Sequence, residues 1–84
     1  MKTKKDKQYS LIHVSERLKE RFGLSITLQE FDRLNAALKE DKSNMILVEG
    51  QDQEIHKLRF KGKLVTFAYS ISRECVTTAL HWTT

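Results

Sequence analysis

Residues 55–70, with the sequence IHKLRFKGKLVTFAYS, carry the pattern that decides the fold class. Polar and apolar residues alternate from Ile55 to Lys61, and a run rich in β-branched and aromatic residues follows from Leu64 to Ser70. Segments of both kinds are typical of β-strands. Gly62 lies between them, and glycine adopts the positive φ angle that a tight hairpin turn requires. The stretch is therefore predicted to form a β-hairpin.

One further strand is predicted on each side of this hairpin. Met45–Glu49 is a short apolar segment, separated from the hairpin by a turn at residues 50–53. On the other side, residues 72–74 form a turn, and Cys75–Trp82 is predicted as the last strand. Short connections favour antiparallel neighbours, so the sequence predicts a four-stranded antiparallel meander.

Two helices are predicted before the sheet. From about Tyr9 to Phe22 apolar residues recur at helical spacing, and Gly23 ends this helix as a C-terminal cap. The segment Ile26–Phe31 has the residues of a capping box and of a hydrophobic staple. It marks the start of a second helix, which is expected to end near Glu40. The predicted fold class is α+β, with two N-terminal helices packed on a four-stranded antiparallel β-sheet.

Length and composition indicate one small folded domain. The chain has 84 residues, of which 39% are hydrophobic and 31% charged, as is typical of a soluble folded domain. Residues 9–84 are expected to form this domain, and residues 1–8 a flexible basic tail. No apolar run approaches the ~20 residues of a membrane-spanning helix, and no signal-peptide-like segment follows the basic start. A cytoplasmic location and no membrane partner are therefore predicted, while the oligomeric state stays open.

The sequence offers little support for a metal, a cofactor or a covalent catalyst. Its single cysteine, Cys75, cannot form an internal disulfide and has no second thiol at metal-ligand spacing. The histidines are widely separated, which disfavours a zinc site. His56 alternates with core residues, which favours a structural role. No nucleophile motif surrounds Ser15 or Cys75. No cofactor and no metal are predicted.

Charge is distributed unevenly along the chain, whose formal net charge is +4. Residues 1–7 contain four lysines and one aspartate, whereas residues 28–54 contain seven acidic and three basic residues. Lys57, Arg59 and Lys61 are expected on one face of a strand. This basic ladder is a candidate nucleic-acid-binding surface, and a solvated outer sheet face is the alternative.

A second polar cluster is expected on the first helix. His13, Arg17 and Arg21 are spaced four residues apart, so they lie along one edge of the helix. An imidazole titrates near neutrality, and guanidinium groups bind phosphate with two hydrogen bonds. This edge is therefore a candidate site for phosphate chemistry. The alternative is a solvated helix face on which the arginines pair with glutamates.

The stretch 13–27, with the sequence HVSERLKERFGLSIT, is followed by an amphipathic helix and, later, by the strand-like runs 62–69 and 76–80. Together they resemble small phage-borne and toxin-type domains of the barnase–EndoU–colicin–RelE ribonuclease superfamily. The resemblance covers about residues 9–82, over which the predicted helices and strands follow one another in the same order as in the family. It implies an RNA partner and a metal-independent ribonuclease, or a relative that has lost activity. In such enzymes the ribose 2′-hydroxyl attacks the adjacent phosphate and leaves a cyclic phosphate.

The resemblance also implies roles for individual residues. A base, an acid and cations are needed for this chemistry. The candidates are His13 as acid or base, Arg17 and Arg21 for charge stabilisation, and Tyr69 and Thr78 for orientation of the phosphate. The first two residues of the basic ladder would follow the RNA backbone.

The predicted function is therefore RNA binding by a small phage or toxin-type domain. Metal-independent cleavage of the bound RNA is the further activity that the resemblance implies. The alternative is a non-enzymatic interaction or inhibitor protein, which binds an antitoxin or a host target through an edge strand and a mixed-charge helix. A third interpretation is a nucleic-acid-binding module without chemistry. Geometry separates them, because a ribonuclease requires the catalytic candidates to converge in one groove. An interaction protein allows them to be dispersed and exposes an apolar patch elsewhere.

Overall fold

The computed structural model describes residues 4–80, with side chains from residue 8 onward. In chain order the elements are α1 (Lys4–Phe22), α2 (Leu28–Glu40), β1 (Met45–Glu49), β2 (Gln53–Phe60), β3 (Lys63–Ser70) and β4 (Cys75–Leu80). The strands form one antiparallel sheet in the order β1-β2-β3-β4. The predicted α+β fold, with two N-terminal helices and a four-stranded meander, is confirmed.

The structure corrects the start of the first helix. α1 begins at Lys4, whereas the apolar periodicity predicted a start at Tyr9. Residues 4–8, which were predicted as part of a flexible tail, are thus included in the helix. They contain no glycine or proline and are rich in lysine, which is a good helix former. β4 is described as far as Leu80, and the last two residues of the predicted strand, 81–82, lie outside the described residues.

The connection between the helices has the predicted geometry. Gly23 has a φ angle of 68°, in the left-handed region that glycine adopts without strain. At the start of α2, Thr27 Oγ1 accepts a hydrogen bond from the backbone nitrogen of Glu30 at 3.1 Å. Glu30 Oε1 in turn accepts one from the backbone nitrogen of Thr27 at 2.9 Å. This reciprocal capping box determines where α2 begins.

The β2–β3 turn also has the predicted form. Lys61 and Gly62 have positive φ angles of 51° and 84°, as in the tight two-residue turns that match the twist of a hairpin. From this turn Lys61 Nζ donates to the backbone carbonyl of Ser25 at 2.7 Å. Lys63 Nζ donates to the backbone carbonyl of Phe22 at 2.6 Å. The hairpin thereby satisfies carbonyl groups at the end of α1 and in the connection that follows it.

The hydrophobic core lies between the helices and one face of the sheet. The helices contribute Val14, Leu18, Phe31, Leu34 and Leu38. The strands contribute Val65, Phe67, Tyr69, Val76 and Ala79. Removal of this apolar surface from water is the main favourable term in folding. The opposite face of the sheet is turned away from both helices, and we call it the outer face.

Both helices are amphipathic rather than uniformly apolar. α1 buries Val14 and Leu18 and exposes Tyr9 and Ile12. Its exposed positions also include several charged residues. Within residues 4–80, neither helix combines the length and the apolar character needed to cross a membrane.

We expect Phe31→Ala to lower the free energy of unfolding by about 3–5 kcal/mol, because the Phe31 side chain is fully buried. Leu28→Ala is the matched control, since Leu28 lies one turn earlier on α2 and is 50% exposed. The control should change stability by about 0.5 kcal/mol or less. Urea denaturation followed by circular dichroism measures both variants. Equal losses would contradict the position of Phe31 in the core.

Candidate functional site

The structure does not bring the five predicted catalytic residues into one groove. His13, Arg17 and Arg21 lie along α1, as their spacing predicted. Tyr69 is buried on the face of β3 that packs against the helices. Thr78 lies on the outer face, because its partner on β3 is the residue that precedes Tyr69. Tyr69 and Thr78 therefore lie on opposite sides of the sheet.

The two arginines of α1 have partners within the fold. Arg21 Nη1 donates to the backbone carbonyl of Ala79 at 2.8 Å and so ties the end of α1 to β4. Arg17 Nη1 lies 3.2 Å from Glu20 Oε2, in the kind of surface ion pair that the alternative interpretation described. Exposed pairs of this type contribute about 1 kcal/mol or less. Arg21 thus has a structural contact, and Arg17 belongs to a solvated helix face.

The basic ladder is interrupted by the β2–β3 turn. Lys57 and Arg59 lie on the outer face, as the alternation predicted. The placement of Lys61 on the same face was wrong. Lys61 is the first residue of the turn, and its positive φ angle redirects the chain. Its Nζ lies 2.9 Å from Glu30 Oε1, at the start of α2. Strand alternation predicts a face only as far as the strand continues.

The outer face is accessible mainly at one end. The register places side chains in adjacent rows: Ile55, Ala68 and Thr78 in one, and Lys57, Thr66 and Leu80 in the next. Ile55 and Ala68 are fully buried. Arg59 and its partner Leu64 are exposed. The accessible part of this face therefore lies toward the β2–β3 turn.

The antiparallel sheet separates positive from negative charge along its strands. What we call the basic end surrounds the β2–β3 turn and carries Lys57, Arg59, Lys61 and Lys63, which Glu30 offsets in part through its ion pair with Lys61. The acidic end surrounds the β1–β2 and β3–β4 turns and carries Glu49, Asp52, Glu54 and Glu74, which Lys42 and Arg73 offset in part. A cluster of one sign of charge attracts ligands of the other. The basic end is therefore the part of the described molecule that best fits an anion.

A polar network, which no local sequence pattern indicated, lies on the helix-facing side of the sheet. Glu54 Oε1 accepts hydrogen bonds from Lys42 Nζ at 2.7 Å and from His56 Nε2 at 3.0 Å. Because a carboxylate only accepts, His56 Nε2 carries the proton. His56 Nδ1 is buried and has no hydrogen-bond partner. The ring of Tyr69 meets the imidazole edge-on, with 6.2 Å between the ring centroids.

Burial and hydrogen bonding act against each other in this network. Burial raises the pKa of the Glu54 carboxyl, but the hydrogen bonds from Lys42 and His56 lower it more, so the net pKa lies below its ordinary value. Burial also raises the pKa of the Tyr69 hydroxyl. Glu54 is therefore a carboxylate at neutral pH and balances the charge of Lys42.

The network resembles a catalytic dyad in one respect only. A carboxylate that orients an imidazole, with the second ring nitrogen unpaired, is the arrangement of many general bases. The His56 side chain is 0% exposed, however, so a phosphodiester does not reach Nδ1 in this conformation. The contacts of Lys42 connect the loop between α2 and β1 to β2. We assign the network a structural role, as the alternation of His56 with core residues favoured.

Neither the potential metal ligands among the described residues nor comparisons with known proteins indicate which chemistry the domain performs. Within the described part of the chain, no three His, Cys, Asp or Glu side chains group as ligands for a metal ion. Comparisons of the sequence with protein-family models and curated proteins, and of the fold with solved structures, find no match. The resemblance to the ribonuclease superfamily stays a prediction.

We expect Glu54→Gln to lower the free energy of unfolding by about 1.5–3 kcal/mol at pH 7, the range for hydrogen bonds to charged groups. A lowered pKa in the folded state means that the carboxylate stabilises the fold fully above its ordinary pKa of 4.5. That contribution is lost as the pH falls through the lowered pKa. The difference between the variant and the wild type should therefore shrink at pH values below 4.5.

Urea unfolding at a series of pH values measures this difference. The control is Glu16→Gln, which removes an exposed carboxylate on α1. It should change stability by about 0.5 kcal/mol or less at each pH. A loss in Glu54→Gln that does not depend on pH would contradict the role of the carboxylate charge.

Proposed function

We propose that this domain binds RNA through its basic end and the adjoining part of the outer face, and that it binds without cleaving. The observation that carries the proposal is that Lys57 and Arg59 share the outer face of the sheet, where Arg59 is exposed near the β2–β3 turn. Cations that neutralise phosphates supply most of the sequence-independent affinity for nucleic acids. These two cations on one strand provide such a surface, whereas Lys61 and Lys63 bind the backbone carbonyls of Ser25 and Phe22.

The side-chain groups of the outer face are of the kinds that contact an RNA backbone. Thr78, a predicted phosphate contact, is half-buried there and carries a hydroxyl group. Hydroxyl and guanidinium groups make the contacts to phosphate and sugar that position a protein on nucleic acid. The ribose 2′-hydroxyl of RNA both donates and accepts hydrogen bonds. Arg59 is thus the side chain we expect nearest the bound backbone, because Thr78 lies two rows away from it, beside the buried Ile55 and Ala68.

The geometry supports binding better than cleavage. Attack by the 2′-hydroxyl needs a base within hydrogen-bond reach and an acid on the leaving oxygen. His13 lies on α1, on the helix-covered side of the sheet, whereas Arg59 and Thr78 lie on the outer face. A phosphate held at Arg59 is therefore on the opposite side of the sheet from the predicted acid or base.

A second candidate function is protein interaction. β1 is at one edge of the four-stranded sheet. Ile46 and Val48 on this strand are exposed. Edge strands pair with extended segments of partner proteins. The adjoining acidic end favours a basic partner.

We expect the double variant Lys57→Gln/Arg59→Gln to weaken binding to fluorescein-labelled single-stranded RNA. The slope of log K against log salt concentration should decrease in magnitude by about 1.4, or ~0.7 for each lost phosphate contact. Fluorescence anisotropy at several KCl concentrations measures both effects. The control is Arg33→Gln/Arg73→Gln, which removes the same charge from α2 and from the β3–β4 turn. It should keep the wild-type slope.

The other outcomes decide between the functions. Equal losses in the two double variants would show attraction by net charge alone and overturn the assigned surface. No RNA binding at low salt would overturn the proposal and favour a protein interaction. The same RNA, incubated with the protein in EDTA, should stay intact on a gel. Products that end in cyclic phosphate and disappear with His13→Ala would instead establish the ribonuclease.

A further inference from the structure

β1 presents an unusual edge for a sheet of this size. It is five residues long and pairs with β2 along one side only. The side chains of Ile46 and Val48 are 44% and 51% exposed. Edge strands are usually protected by short length, bulges, charges or prolines, and β1 is short and bulged but carries no charge before Glu49.

The backbone of β1 is also incompletely paired. The register with β2 shifts between Met45 and Leu47, so that Ile46 has no partner residue on β2. The extra residue of a β-bulge lies outside the regular ladder. A bulge is one of the features that limit pairing at a sheet edge, so a contact through β1 is expected to be weak.

The sequence of β1 is complementary to itself in the register centred on Leu47. In a two-fold symmetric contact, residue i meets residue j and residue j meets residue i. When two antiparallel copies of β1 meet with Leu47 opposite Leu47, Ile46 of each copy lies opposite Val48 of the other. All four exposed apolar side chains are then covered, and Met45 lies opposite Glu49, so no like charges meet. A contact centred on Val48 would instead place Ile46 opposite Gly50.

The charge distribution favours the same arrangement. β1 ends at Glu49, at the acidic end, while β2 continues past the start of β1 toward the basic end. When two copies of β1 pair in antiparallel orientation, the end of each strand lies beside the start of the other. The acidic end of one copy then lies on the same side of the dimer as the basic end of the other copy. Complementary charge at the rim of an interface selects orientation and speeds association.

We propose that β1 pairs with β1 of a second copy of this chain, antiparallel and centred on Leu47, so that the two sheets join into one. The inference is independent of the RNA-binding proposal. A contact made by two short strands is smaller than the roughly 1,600 Å² of a standard interface. The dimer is therefore weak, and its population depends on concentration.

Cysteine cross-linking tests the register. Leu47→Cys places two thiols on the symmetry axis, where directly opposed residues have Cα atoms about 4.5–5.5 Å apart, within the range of a disulfide. Glu49→Cys is the matched control on the same strand. Its two copies would be about 13 Å apart, which is beyond disulfide range. Cys75 is buried in both variants. We expect a disulfide-linked dimer from Leu47→Cys and little from Glu49→Cys.

Sedimentation equilibrium tests the association itself. The wild type should form dimers increasingly as its concentration rises to about 1 mM, the range of weak complexes. Val48→Lys should weaken dimerisation at least ~10-fold, because a charged side chain would then lie opposite the apolar Ile46 of the other copy. Leu64→Lys, at an exposed position on β3 away from the β1 edge, should leave it unchanged. Circular dichroism confirms that both variants fold.

Two results would overturn the proposal. One is a wild-type protein that stays monomeric at about 1 mM. The other is equal cross-linking of Leu47→Cys and Glu49→Cys, which would indicate random collision rather than a defined register.

Discussion

The burial of β3 is the constraint on which the rest of the domain depends. Residues 65–70 are all buried, and the strand is paired with β2 on one side and with β4 on the other. Phe67 is opposite His56 on β2 and Ala79 on β4, and it lies against the core that the helices complete. A chain of this length buries only about 60% of its unfolded surface. The buried apolar residues of the described part of the chain form one core around this strand, so its loss would remove the centre of that core.

This constraint explains why polar residues on the helix-facing side have structural partners. Glu54 lies next to Tyr69 in the register of β2 and β3, so its carboxylate enters a region where charge needs a partner. Lys42 supplies the counter-charge from the loop before β1, and His56 donates to the same oxygen. A buried carboxylate without these donors would be strongly destabilising. The network thus connects the loop after α2 to β2.

The features that the sequence predicted well are local ones. The capping box joins residues three apart, and the β2–β3 turn depends on two adjacent residues, so each is visible in a short window. Alternation correctly placed Lys57 and Arg59, but it failed at Lys61 because the strand ends at Phe60. The start of α1 was misplaced for a related reason, since residues 4–8 are polar and carry helix propensity without apolar periodicity.

The candidate site depended on contacts that no local pattern encodes. Arg21 binds a carbonyl 58 residues away, and Lys42 and Glu54 come from separate elements. Whether Tyr69 and Thr78 share a face depends on the pairing of β3 with β4, in which the register shifts next to Tyr69. A one-residue change of register reverses the face of every following side chain. The resemblance grouped these residues by their order in the chain, whereas the sheet separates them.

The proposed RNA binding and the proposed self-pairing are compatible because they involve different parts of the sheet. Antiparallel pairing at the β1 edge keeps the helices of both copies on one side, so the two outer faces form one continuous surface. The basic ends then lie toward opposite ends of that surface, each with its own Arg59. An RNA long enough to contact both would bind the second end at a high effective concentration. By linkage the same RNA would stabilise a dimer that is weak alone, since a ligand that contacts both copies favours the associated state.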